Sequence, residues 1–273
     1  MVKKGMIIIG TPKMLAFAMS VIIMMSAGQP EVLGSPRSSY GLGSARYLSG
    51  KNLLYSLFVD TTESNWEEEE KKEVLSKLEV AAGYIENSAK QYQEDVQIVF
   101  NWQENADLKG EAAVDFSISD TAYFEDRLDE AIAFWVENIV DFEALMKEYK
   151  AEVIALLAFV DNPVSSYAIV FDGTDNPKES VILAGEEVPA AYAHEILHVF
   201  GAHDLYKDAE YTNEVADYVK EAYPLEIMYT VADGNGRKLN DRIVNIVSPI
   251  TAYHLGWIDY TEEIDVFPQL KRK

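Results

Sequence analysis

Residues 194–204 read HEILHVFGAHD. On an α-helix, side chains four positions apart project from one face about a turn apart, so His194 and His198 can reach a single ion. Glu195 points about 100° further round. From there its carboxylate can reach a water on that ion without taking the ligand position. Zinc lowers the pKa of such a water to about 7, and a carboxylate can then take its proton during attack on a carbonyl. This division of roles is why the pattern His-Glu-x-x-His carries metal-assisted hydrolysis.

The surroundings sharpen the motif. The chain has four histidines, and three of them stand in this stretch. Pro189 falls where a helix would begin, a position at which its missing N–H costs little. Ile196, Leu197, Val199 and Phe200 make the helix apolar around much of its circumference, which marks a buried element. Gly201 lets the chain leave the helix with positive φ and swing back toward the ion. His203 and Asp204 can then offer a third ligand. As neighbours in an extended segment they point to opposite sides, so one of them reaches the metal.

HExxHxxGxx followed by a ligand, and then by a methionine-containing turn, resembles the metzincin zinc endopeptidases. Their common last ligand is histidine. Asp204 stands there in this chain, as in the minority that use an aspartate, among them snapalysin-like and immune-inhibitor-like bacterial peptidases. The resemblance implies one catalytic Zn²⁺ held by His194, His198 and Asp204, with Glu195 as general base and His203 as the rival third ligand. It implies a zincin-like α+β fold: a mixed, mostly parallel sheet with helices, the HExxH helix, a Met-turn and a C-terminal helix. In LEIMYT, residues 225–230, Met228 would pack beneath the metal without binding it. Several metzincins place a tyrosine two positions after that methionine, where this chain has Thr230. Tyr229 is one place early, so a tyrosine role is not transferred to it.

Two other readings compete. In a gluzincin-type peptidase the third ligand is a glutamate on a following helix, and Glu214, within Asn213–Asp217, is the candidate. That reading leaves Gly201, Asp204 and Met228 unexplained. The other is a catalytically silent secreted module with a structural zinc, although nothing in the motif is damaged.

Outward from the motif, Asn52–Asp60 and Val96–Phe100 read as strands flanking a helix from Trp66, capped by Asn65, with Glu67 to Glu70 in its first turn. Strand, helix, strand points to a parallel crossover. A long helix is expected from about Tyr123 to Tyr149, its core stripe running through Leu128, Ile132, Trp135 and Ile139. Val153–Val160 reads as a central strand, with shorter ones at Ser166–Phe171 and Ser180–Leu183. Ser248 and Pro249 suit the start of a final helix on which His254 is structural.

The N-terminal residues 1–28 read as a signal peptide or membrane anchor: Lys3 and Lys4, an uncharged run from Met14, and small residues at Ser26 to Gly28. Residues 29–50, rich in Gly, Ser and Pro, read as a linker or short pro-segment. The expected domains are thus 1–28, 29–50 and a zinc metallopeptidase domain over 51–273, secreted or anchored facing outward. The formal charge of −23 argues against nucleic acid or an anionic membrane as partner and leaves a peptide or protein substrate. With no cysteine, disulfides, thiolate ligands and thiolate catalysis are excluded. Asp172 to Asp175 and Asp233 to Gly236 are conceivable Ca²⁺ loops that read more simply as turns.

Overall fold

The computed structural model describes residues 7–10, 48–102, 105–117, 124–161, 165–170 and 180–272. At its centre is a mixed, mostly parallel sheet of seven strands: β1 (Ile7–Gly10), β2 (Gly50–Asp60), β3 (Val96–Phe100), β4 (Lys109–Ala113), β5 (Val153–Val160), β6 (Tyr167–Val170) and β7 (Ser180–Ala184). Their order is β1-β6-β7-β5-β2-β3, with β4 also on β2. β2 pairs in parallel with β3 through its first half and with β4 through its second. β5 lies parallel between β2 and β7. β6 runs antiparallel to both β7 and β1.

β5 is buried throughout its second half because both faces of the sheet are covered, which is why VIALLAFV shows no polar alternation. Leu157 and Phe159 belong to one apolar cluster, with α1 (Glu68–Gln91) and α4 (Pro189–Val199). Leu156, Ala158 and Val160 belong to the other, with Leu128 and Ile132 of α2 (Phe124–Ile139) and residues of α3 (Phe142–Tyr149) packed against it. The chain closes with α5 (Asn213–Ala222), α6 (Pro249–His254) and α7 (Glu263–Val266).

Several elements depart from expectation for identifiable reasons. Asn65 does not cap α1. Trp66 is drawn onto the sheet, its indole N–H donating to Phe159 O at 3.1 Å and its backbone N–H to Asp60 at 2.8 Å. The helix therefore starts two residues later, at a Glu67/Glu70 capping box. The long helix is two helices, because Asp141 accepts from Ala144 N at 2.9 Å and caps a new one. The core stripe consequently loses its phase, and Ile139 is exposed. β4 was not anticipated. Its Gly110 leaves the space that Trp135 fills, since a Cβ there would stand 2.2 Å from the indole.

Of the expected leader, Ile7–Gly10 forms the outer strand beside β6, with Ile7 opposite Val170. The proposed cleavage region, most of the linker and the Asp172–Asp175 loop lie outside the described residues. No helix among the described residues is long and apolar enough to cross a membrane.

Candidate metal centre

Pro189 is the first residue of α4, after an extended Val188, and every residue of this helix is buried. Tyr192 O–H donates to Ala184 O, tying the helix to the end of β7. The C-terminus closes with Gly201 N–H on His198 O (2.9 Å) and Ala202 N–H on Leu197 O (3.0 Å). This paired arrangement needs a residue in the left-handed region, and Gly201 has φ 96°. The chain is thereby turned so that Asp204 returns to the helix face carrying the histidines.

Hydrogen bonds fix the form of both imidazoles. His194 Nδ1 lies 2.9 Å from Ile227 O, and His198 Nδ1 lies 2.8 Å from Ala202 O. A carbonyl only accepts, so each Nδ1 carries the hydrogen and each Nε2 a lone pair. The two Nε2 atoms face each other at 3.2 Å. Asp204 Oδ1 stands 3.2 Å from one and 3.4 Å from the other. Asp204 Oδ2 instead accepts from Tyr206 O–H at 2.7 Å.

Three buried lone-pair atoms in mutual contact repel one another unless a cation lies between them. Their separations match the edges, about 3.4 Å, of a tetrahedron with ligand bonds of about 2.0–2.1 Å. Two neutral imidazoles and a carboxylate are a donor set that suits zinc. Ligand atoms of His194, Glu195 and His198 also fall within 4.8 Å of one another, so Glu195 must be weighed as an alternative third ligand. Its Oε1 is 3.9 Å from His194 Nε2, whereas Asp204 touches both rings. Asp204 Oδ1 thus lies nearer both rings than the Glu195 carboxylate, which stands back from them.

The other sequence candidates lie elsewhere. His203 turns away from Asp204, pairing through Nδ1 with Glu210 and packing against Tyr211 and His254. His254 donates from Nε2 to Leu270 O at 2.9 Å. Burial, followed by the nearby His203, pushes its pKa down to about 3. Glu214 is exposed on α5, outside the cluster. Thr230 O accepts from Asn245, and its hydroxyl accepts from Ala232 N. Asp233 accepts from the backbone of Asn235 and Arg237 and pairs with the Arg237 guanidinium, the bonding of a turn rather than a calcium loop.

Two residues at this centre escaped the sequence reading. Tyr206 lies two positions after Asp204, and side-chain alternation in an extended segment puts both on one side. Burial, then the charge of Asp204, raises the Tyr206 phenol far above its ordinary pKa, so it remains an O–H donor. The second is Glu226, fully buried in the 225–230 turn. A lone acid within an apolar run was its only signal.

No family model and no curated protein matches the sequence. Two solved structures of OgpA from Akkermansia muciniphila show a distant likeness. The catalytically inactive form, bound to the O-glycopeptide glycodrosocin, has 9% identity and a TM-score of 0.38. The wild-type form has 9% identity and a TM-score of 0.39. Each match covers 78% of this chain and 60% of OgpA. At that distance the likeness bears on no individual residue, and the site rests on its geometry.

Proposed function

We propose that the chain is a zinc-dependent endopeptidase of metzincin type, with His194, His198 and Asp204 as ligands and Glu195 as general base. The observation that carries the reading is the convergence of three buried lone-pair atoms, with a second carboxylate set just behind them. Zinc held by these residues would polarise a peptide carbonyl and acidify a water. Glu195 takes the proton of the attacking water and delivers it to the departing amine. Tyr206 donates its one O–H to Asp204 Oδ2 and so holds that carboxylate with Oδ1 toward the histidines. On this reading the buried Met228 is the methionine of the metzincin turn. An aspartate as third ligand would match the snapalysin-like and immune-inhibitor-like variants.

Residues 1–28 serve as an export leader or anchor, residues 29–50 as a linker or pro-segment, and 51–273 as the catalytic domain. The substrate is a peptide or protein outside the cell. Loss of the leader would leave β6, beside α4, as the open edge of the sheet.

Metal analysis of the purified chain and digestion of a broad peptide library test this reading, with Glu195→Gln in parallel. We expect about one zinc per chain in both proteins and cleavage by the unsubstituted chain alone, since general-base removal costs roughly 10²–10⁴ in rate. A zinc-loaded chain that cleaves nothing would establish a silent binding module instead. A chain that takes up no zinc would end the metallopeptidase assignment.

A further inference from the structure

The 225–230 turn supports two of the three ligand residues. Ile227 O accepts from His194 Nδ1 at 2.9 Å, setting that ring's tautomer and direction. Met228 O accepts from the backbone N–H of Leu205 at 2.9 Å, pinning the residue next to Asp204. Both carbonyls must therefore be aimed to within a few tenths of an ångström, and neighbouring N–H groups decide where a turn's carbonyls point.

Glu226 collects those N–H groups. Its backbone carbonyl accepts from Tyr229 N at 3.0 Å and Thr230 N at 2.9 Å. Its carboxylate accepts from Met228 N at 3.2 Å through Oε1, which also takes the Thr251 hydroxyl at 2.9 Å. Oε2 accepts from Ser248 N. The side chain is 0% exposed. Burial raises its carboxyl while these bonds oppose the rise. A buried carboxylate is costly, and an amide or an apolar side chain would fill the same space. What a carboxylate uniquely offers is acceptance on both oxygens, so that it can take one bond from the turn and others from the start of α6.

We infer that Glu226 is a positioning residue for the metal centre: its carboxylate braces the 226–230 turn against residues 248–251 and so aims the Ile227 and Met228 carbonyls at His194 and Leu205. The inference rests on the proposed metal site, and His198 supplies its internal control. His198 takes its tautomer from Ala202, within its own loop, and owes nothing to Glu226.

Two measurements on the full chain test it. The first is ¹⁵N–¹H spectroscopy of the four imidazoles in metal-free protein, which reads tautomers directly. In Glu226→Gln the His194 signals should move from the Nδ1–H form toward a mixture, while those of His198 stay in place. Movement of both rings together, or of neither, would overturn the inference. The second is Co²⁺ titration monitored by visible absorption, with chelator competition. Affinity should fall about 10- to 100-fold, as when other groups behind a ligand are lost. Leu128→Ala, in the opposite core cluster, should lower the melting temperature but keep wild-type affinity and spectrum. If it weakens Co²⁺ as much as Glu226→Gln does, Glu226 acts through global stability and the inference fails. If Glu226→Gln does not fold, Thr251→Val removes one donor and should shift His194 in the same direction by less; an unmoved His194 there overturns the inference. A wild-type chain that takes no Co²⁺ would sink the metal site, and the His194 tautomer would still decide the role of Glu226.

Discussion

Two pairs of histidines lie around the 200–204 turn, and they are built on opposite logic. His203 and His254 have partners of complementary character: a carboxylate from Glu210, the carbonyl of Leu270 and the ring of Tyr211. His194 and His198 are each satisfied at Nδ1, but their Nε2 atoms point at each other and at a carboxylate. The first pair draws its partners from within the protein, leaving only His254 Nδ1 buried without a hydrogen bond. The second turns its open lone pairs inward, where a cation could bind. Histidine count and clustering in the sequence do not separate these cases; the direction of the lone pairs does.

The largest effect that can break this contrast is exchange of the two adjacent residues at the turn. Asp204→Ala should reduce bound zinc from about one per chain to near none and abolish peptide cleavage, because it removes one of only three protein ligands. His203→Ala should retain the zinc and most of the turnover. The opposite result, read by elemental analysis and a peptide assay, would move the metal to the other side of the turn. Next in size is Tyr206→Phe. Loss of a donor behind a ligand typically costs about 10- to 100-fold in metal affinity or activity, and chelator competition should show that weakening here. Unchanged affinity would detach the phenol from the role of Asp204.

A smaller effect sharpens the self-contained side. His254 titrates near pH 3 in the fold and near 6.5 when free. Between those values the unfolded chain binds the extra proton, so stability rises with pH across this window and is lost as pH falls. From pH 7 to 5 the loss is about 2 kcal/mol. Chemical denaturation with chelator present should show that much less acid sensitivity in His254→Gln, provided the amide keeps the bond to Leu270 O. Equal sensitivity in the two proteins would place the titration elsewhere. The smallest effect is expected of Glu214→Ala on exposed α5, within about 0.5 kcal/mol in stability and without change in zinc or turnover. A loss of zinc would revive the glutamate-ligand reading.

The eleven residues 194–204 were legible because their geometry is local. A helix repeat brings His198 under His194, and a glycine in the left-handed region returns Asp204 three positions later. The hydrophobic runs at β5 and β7 were legible for a similar reason, since strands buried on both faces leave a nearly continuous apolar record. What failed to show depended on partners distant in sequence. Trp66 abandons a helix start to reach Phe159. β4 exists because β2 offers it an edge and Trp135 a glycine-shaped space. Glu226 looked like a stray acid because its donors arrive 22 and 25 residues later.

That spacing along the chain has a bearing on how the protein is made. Synthesis joins the residues of the candidate site in order, so His194, His198 and Asp204 are added before Ile227, whose carbonyl orients His194. The brace behind that carbonyl is completed only when Thr251 has left the ribosome. A nascent or truncated chain thus carries the motif without the aim. The candidate site gains that aim only once residues 226–251 have joined it.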